Sequence, residues 1–168
     1  MQVFIIAALT VDGFIAEKTD QSSLDWTSQE DKKFFVERTK EAGAIVVGRK
    51  TFETFPKALP NRLNLVLTAQ SGLSSEDSNV EYVNLSAQGV VELAQERGYK
   101  ELAVCGGASV YGQFLLAGVV DKLYLTIEPV VFGGGVKLFD KPMATRLKLD
   151  GVSKLSSQTL LLTYSVKK

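Results

Sequence analysis

The chain of 168 residues contains no histidine. That removes Ser-His-Asp and Cys-His nucleophilic machinery, the histidine-bearing zinc sites and the commonest general base. Cysteine occurs once, at Cys105, so a disulfide within the chain, a Cys-x-x-Cys redox pair and all-cysteine metal sites are excluded too. Neither sign of charge is in excess, because 19 basic and 19 acidic residues cancel. No net field therefore favours nucleic acid or an acidic membrane surface. No apolar run reaches the roughly 18 residues of a membrane-spanning helix. Val3 to Val11 is apolar, but no basic residue precedes it and Asp12-Gly13 interrupts it, so it reads as a buried strand rather than a signal segment. These absences predict a cytoplasmic protein that works with a carboxylate, a hydroxyl, a lysine or a borrowed cofactor.

What is present is ordinary in bulk, with 45% hydrophobic and 23% charged residues. A chain of this size is expected to form one domain, residues 1–168, with a core large enough to need no staple. Val3 to Leu9 reads as the first strand, and Asp12 to Asp25 as a polar loop long enough to act as a lid. A helix start at Thr27 to Asp31 leads into a helix running to about Glu41, with Phe34, Phe35 and Val36 on or near its buried stripe. Ile45 to Val47 and Leu65 to Leu67 lack polar alternation, as strands covered on both faces do. Val80 to Val83, Leu102 to Cys105 and Lys122 to Ile127 read as further strands. Ala87 to Arg97 and Ala108 to Leu116 read as helices stopped by Gly98 and Gly118. After a flexible glycine corner at Phe132 to Gly135, Leu147 to Val152 and Leu160 to Val166 alternate as antiparallel strands. The sum is an α/β fold with a mixed sheet, helices on both faces and an antiparallel end. Ligands of such sheets sit outside the carboxyl ends of the strands. Asp12, Gly48 to Thr51, Gly106-Gly107 and Thr126 to Glu128 would meet there if the strands run parallel.

The densest stretch is Ala44 to Thr68. Gly48 ends a strand, and Arg49, Lys50 and Thr51 stand where the free N–H groups of a helix start would favour a phosphate. A P-loop is excluded, because Arg49 displaces the lysine by one and the loop positions Ala44 to Val47 favour a strand. Arg62 follows the Leu59-Pro60-Asn61 turn, and by pattern alone it reads as a surface charge. Gly106-Gly107, leading into Ala108, is either a tight strand-to-helix turn or a second phosphate contact. Asp31 also has two readings. Ser28-x-x-Asp31 fits a capping box, in which the carboxylate bonds back to the cap. Alternatively, a carboxylate one turn inside a helix beside Trp26, Phe34 and Phe35 points into an apolar cleft and grips an amidine-like ring edge.

Taken together, Gly48-Arg49-Lys50-Thr51, Leu59-Pro60-Asn61-Arg62, Trp26 with Asp31 and Phe35, and Cys105-Gly106-Gly107-Ala108-Ser109-Val110-Tyr111 resemble the dihydrofolate reductase family over Gln2 to Val166. The resemblance is to a branch from thermophilic bacteria that assembles as a homodimer. It implies a three-layer αβα fold with a mostly parallel central sheet, NADPH as cofactor and dihydrofolate as substrate. It implies Asp31 as the catalytic acid that binds the pterin, with Ile6, Ala7, Ala8, Phe35, Phe55, Leu59 and Thr126 around the substrate and Arg62 on its glutamate carboxylate. It implies cofactor contacts at Ala8, Ile15, Gly48, Arg49, Lys50, Thr51, Leu67, Thr68, and Cys105 through Tyr111, with a cis peptide between Gly106 and Gly107. No nucleic-acid or membrane partner and no metal is implied. The chain departs from the family in a longer, more polar loop from Ala16 to Asp25, in Lys32 at a usually apolar contact, and in Thr68-Ala69 where a serine pair often meets the 2′-phosphate. The NADPH preference therefore falls mainly to Arg49 and Lys50. Two alternatives stand beside it: the related reductase domain of riboflavin biosynthesis, which shares the fold, the Asp12-Gly13-x-Ile15-Ala16 start and a glycine-rich tail like Phe132 to Gly135 but matches Asp31 and Leu59-Pro60-Asn61-Arg62 less closely and acts on a ribosylamino-pyrimidine phosphate, and a nucleotide-binding protein without turnover.

Overall fold

The computed structural model describes residues 1–167. Its elements, in chain order, are strand β1 (Gln2–Thr10), β2 (Phe14–Ala16), helix α1 (Gln29–Ala42), β3 (Ala44–Gly48), α2 (Arg49–Phe52), β4 (Leu63–Leu67) and β5 (Val80–Val83). They continue with α3 (Ala87–Glu96), β6 (Glu101–Val104), α4 (Ala108–Leu116), β7 (Lys122–Glu128), β8 (Val136–Lys137), β9 (Leu147–Lys154) and β10 (Leu160–Val166). A single 3₁₀ turn, Ser23–Asp25, precedes α1.

One eight-stranded sheet carries the fold in the order β5-β4-β3-β6-β1-β7-β10-β9. The six strands from β5 to β7 pair in parallel, and β10 and β9 then add antiparallel to close the sheet. The parallel condition on which a shared cleft depended is therefore met. The central strands read as continuous apolar runs because both of their faces are covered. Ile5, Val46, Leu65 and Val104 pack toward α3 and α4, against Val90, Ala94, Val110 and Phe114. Phe4, Ile45, Val47, Val66 and Ala103 pack toward α1, against Phe34, Phe35 and Ala42. Two helix layers thus enclose the sheet, as alternation between strand and helix patterns predicts.

On the α1 side, the Arg38 guanidinium lies 4.0 Å from the centroid of the Phe4 ring and 5.1 Å from that of Tyr124. Its two terminal nitrogens donate to Glu101 at 2.7 and 3.0 Å. This pins α1 across the β6 and β1 edge, and α1 carries Asp31.

Two regions differ from sequence expectation. The stretch 12–25 is not uniformly a loop, since Phe14–Ala16 pairs with Val136–Lys137 as a small antiparallel sheet. A three-residue strand beside a glycine corner leaves no periodic signal to find. The pairing depends on Gly135, where an added Cβ would lie 2.3 Å from the Ala16 carbonyl oxygen. Val36, expected at the buried stripe, is 45% exposed, while Phe34 and Phe35 are half-buried.

Candidate active site

A cavity of about 1010 Å³ opens at the carboxyl ends of the parallel strands. It is walled by the backbones of β1 and β6, by α1, by the segment 48–62 and by the start of α4. At one end stands Asp31. Its helix begins at the N-cap Ser28, whose hydroxyl accepts the Asp31 N–H at 3.1 Å. The capping box is only half formed, however. The Ser28 N–H goes to Glu128 Oε1 at 3.0 Å rather than to Asp31. The Asp31 carboxyl is thereby free of the cap. It lines the cavity although the residue is only 8% exposed.

Burial pushes the Asp31 carboxyl above its ordinary pKa, the Thr126 and Thr27 hydroxyls oppose the shift, and the negative charge of Glu128 adds to it. No arginine or lysine forms an ion pair with Asp31 among the described residues. A buried carboxylate without a cation is costly. It is also poised to accept a planar cationic or amidine-like ligand edge through both oxygens. Thr126 does not line the cavity itself. It is fully buried, in register with Ala8 across the β1–β7 pair, and it supports Asp31 from behind.

Ile6, Ala7, Ala8, Phe35, Phe55 and Leu59 supply apolar lining to the cavity that Asp31 and Arg62 also line. Arg62 is not a surface charge. It is 6% exposed, with Nε donating to the Pro60 carbonyl at 2.9 Å and Nη1 donating to the Val36 carbonyl at 3.3 Å and to the Thr39 hydroxyl. Burial lowers its pKa from the ordinary arginine value. The other terminal nitrogen, Nη2, makes no hydrogen bond among the described residues, although the guanidinium as a whole borders the cavity. A cation so held, without a carboxylate partner, suits an anionic group of a ligand.

The other half of the cavity is built from glycine. Gly48 N–H donates to the Gly106 carbonyl at 2.7 Å, tying the exits of β3 and β6 together. A Cβ at Gly48 would lie 3.1 Å from Val110 Cγ2, and one at Gly107 would lie 3.0 Å from Thr51 Oγ1. The peptide between Gly106 and Gly107 is cis. Gly107 caps α4 without a side-chain bond, so the N–H groups of the first turn, at Ala108 to Val110, point their unfilled donors at the cavity rim. Arg49, Lys50 and Thr51 line the same rim with Ile15, Leu67 and Thr68. Arg49 is ion-paired to Glu53 one turn on. The helix at Arg49 is a single turn, so its dipole is small and the cations themselves carry the attraction. Bare helix N–H groups, two cations and a close backbone approach fit a nucleotide diphosphate. Tyr111 donates its hydroxyl to the Ile6 carbonyl at 2.8 Å, and the Cys105 thiol is buried with its pKa pushed far up, so neither is available as a nucleophile.

Every site residue implied by the family resemblance lines this one cavity except Thr126, which stands one layer behind, whereas Asp12, Ile127 and Glu128, also expected at the strand ends, do not line it. Trp26 also differs from expectation. It packs edge-on against Phe132, with centroids 5.1 Å apart, instead of facing the cavity. Sequence reading missed Val36, Asn84, Leu85 and Asp140 in the lining and Thr159 behind Asp31, and it placed Glu128 near the cleft without its bonds to Ser28 and Thr159. Glu128 carried one usable signal, as an acid two residues after Thr126 and so on the same face of the strand.

A family model described as "Dihydrofolate reductase" matches residues 2–141. The dihydrofolate reductase of Buchnera aphidicola subsp. Baizongia pistaciae is 33% identical over 135 residues, covering 79% of this chain and 75% of that protein. Dihydrofolate reductase type A13 of Escherichia coli is 33% identical over 167 residues, covering 99% of this chain and 93% of that protein. Among solved structures, a putative riboflavin biosynthesis protein from Shewanella sp. PV-4 superposes with a TM-score of 0.83 at 21% identity over the full length of both chains, a likeness of fold. With a mostly parallel sheet, a buried carboxylate and a glycine-built rim at its carboxyl edge, the chain belongs to the dihydrofolate reductase family.

Proposed function

We propose that the protein reduces 7,8-dihydrofolate to 5,6,7,8-tetrahydrofolate, with NADPH as the reductant. The observation that carries this reading is Asp31, a buried carboxyl with no ion-pair partner among the described residues, on a cavity that Arg62 and the apolar Phe35 and Phe55 also line. A dihydropterin presents an N–C–N edge to a carboxylate, an apolar ring body, and at its far end a carboxylated tail. Asp31, the Phe35 and Phe55 walls, and Arg62 match those parts.

Bound at the Arg49, Lys50, Thr51 and Ala108 to Val110 rim, NADPH would supply hydride to C6 of the pterin. The protein's own part is to bind, orient and set charge. Asp31 holds the ring edge and, by accepting from it through two oxygens, makes the ring easier to protonate. Water takes the proton to N5, since the chain has no histidine to do so. Thr126 fixes the Asp31 carboxyl from the strand side. Arg62 neutralises the tail carboxylate.

A ribosylamino-pyrimidine phosphate is the second reading, favoured by the Phe132 to Gly135 corner that pairs β8 with β2. Against it stands Arg62, a buried guanidinium without a carboxylate partner among the described residues on the same cavity as Asp31, which suits a carboxylated tail. The test is NADPH oxidation by the purified protein with each substrate in turn. Oxidation that depends on dihydrofolate supports the first reading, and oxidation that depends only on the pyrimidine phosphate replaces it.

A further inference from the structure

We propose that Glu128 is the residue that positions Asp31: it takes the cap of α1 through Ser28 and so leaves the Asp31 carboxylate to face the cavity. The inference rests on the reading of Asp31 as the ring-binding carboxylate.

The geometry is specific. Glu128 is the last residue of β7 and only 2% exposed. Its Oε1 accepts from the Ser28 N–H at 3.0 Å and from the Ser28 hydroxyl at 2.7 Å, and its Oε2 accepts from the Thr159 hydroxyl at 3.1 Å. Thr126 and Glu128, two residues apart on one strand, face the same side. From that side β7 addresses α1 twice, the Thr126 hydroxyl opposing the rise in the Asp31 pKa and Glu128 accepting from the cap residue Ser28.

Ser28 completes the chain of bonds. Its hydroxyl accepts a hydrogen bond from the Asp31 N–H and donates one to Glu128 Oε1. In the capping box that the sequence spells, the third helical residue would turn its carboxylate back to the Ser28 N–H. Glu128 occupies that N–H, so Asp31 has no reason to turn back. Glu128 forms no ion pair among the described residues, and a buried carboxylate held by three neutral donors is expensive unless it has a task. Thr159, in the turn between β9 and β10, extends the anchor to the terminal hairpin.

A strut that only holds α1 to β7 would not alter the ionisation of Asp31. Glu128 does, since its charge acts with burial to hold the Asp31 carboxyl up. The other groups that face Asp31 are Lys32 on its own helix, which favours the ionised form, and the Tyr111 phenol on α4.

Two variants separate position from charge. Glu128→Gln keeps an acceptor for Ser28 and removes the charge, whereas Glu128→Ala removes both. The readouts are the carbon-13 carboxyl titration of Asp31, assigned with Asp31→Asn, and kcat/KM for dihydrofolate. In Glu128→Gln, Asp31 titrates at lower pH than in the wild type while kcat/KM stays close to it. In Glu128→Ala, kcat/KM falls by about tenfold or more as the carboxylate loses its aim. Wild-type Asp31 titration and kcat/KM in Glu128→Ala overturn the proposal, and so does a Glu128→Gln variant as impaired as Glu128→Ala. If the wild type itself shows no dihydrofolate-dependent turnover, the functional reading fails, yet the Asp31 titration still decides the role of Glu128.

Discussion

The Thr39 hydroxyl, buried inside α1, accepts a hydrogen bond from Arg62 Nη1 and donates one to the Phe35 carbonyl at 2.6 Å. Thr39 thereby sets where a buried guanidinium sits relative to the cavity.

From that arrangement, Arg62→Ala should raise the dihydrofolate KM by about tenfold or more, because a charge-assisted contact to the tail carboxylate is lost. It should also lower the melting temperature, since the Pro60 and Val36 carbonyls lose a buried donor. The control is a diaminopyrimidine ligand without a carboxylate, whose affinity the substitution should leave near that of the wild type. An unchanged dihydrofolate KM would remove Arg62 from the site.

Asp31→Asn should melt at a higher temperature than the wild type at neutral pH. The sign follows from linkage. The folded carboxyl binds its proton more tightly than the unfolded one, so stability falls as pH rises from the ordinary carboxylate value to the raised one. Above that window the cost of a buried charge is fully present. Asparagine does not incur it, and below the ordinary value the difference should vanish. Thermal melts at pH 3 and pH 7 check this, and equal melting temperatures at pH 7 would contradict it.

Asp12 works in the opposite direction. Its exposed carboxylate accepts from the Thr10 hydroxyl and from the backbone N–H groups of Phe132 and Gly133, and the Thr10 bond leads in lowering its pKa. The stabilisation it gives is present above the ordinary carboxylate value and is lost as pH falls through the lowered one. Asp12→Ala should loosen the β2–β8 pair. Faster amide hydrogen exchange at 14–16 and 136–137, with the central sheet unchanged, is the expected outcome.

Arg49→Ala should raise the NADPH KM by about tenfold while moving the NADH KM less, because Arg49 and Lys50 are the cations on the glycine-built rim where NADPH is proposed to bind. Steady-state kinetics with both cofactors measure the ratio, and an equal effect on the two would assign Arg49 to the shared diphosphate instead.

Much of this fold was legible because its strands are buried on both faces. Ile45 to Val47 and Leu65 to Leu67 have no polar alternation to confuse, and both are strand. The helix at Ala108 to Leu116 has the predicted bounds, set by glycines at each end. The β2–β8 pair was hidden, because a short pair defined by a backbone approach at Gly135 leaves no side-chain pattern. Within the site, residues on strand ends and glycine turns were found from local motifs. The lining residues Asn84 and Leu85, and the support of Asp31 by Glu128 and Thr159, were not. Their role arises from contacts between residues about 100 apart in sequence, such as Ser28 with Glu128, which periodicity does not encode. Ser28 and Asp31 show the same boundary from the other side. Their spacing fits a capping box, and only the position of Glu128 shows that half of it is taken elsewhere.

The most direct measurement of the central claim is NADPH oxidation at pH 7 in the presence of dihydrofolate, for the wild type and for Asp31→Asn, with NADPH binding to each measured alongside. The account predicts dihydrofolate-dependent oxidation by the wild type, a loss of about a hundredfold or more in the variant, and similar NADPH affinity for both. Equal turnover in the two proteins would contradict it and leave the Asp31 carboxyl without a part in the reaction.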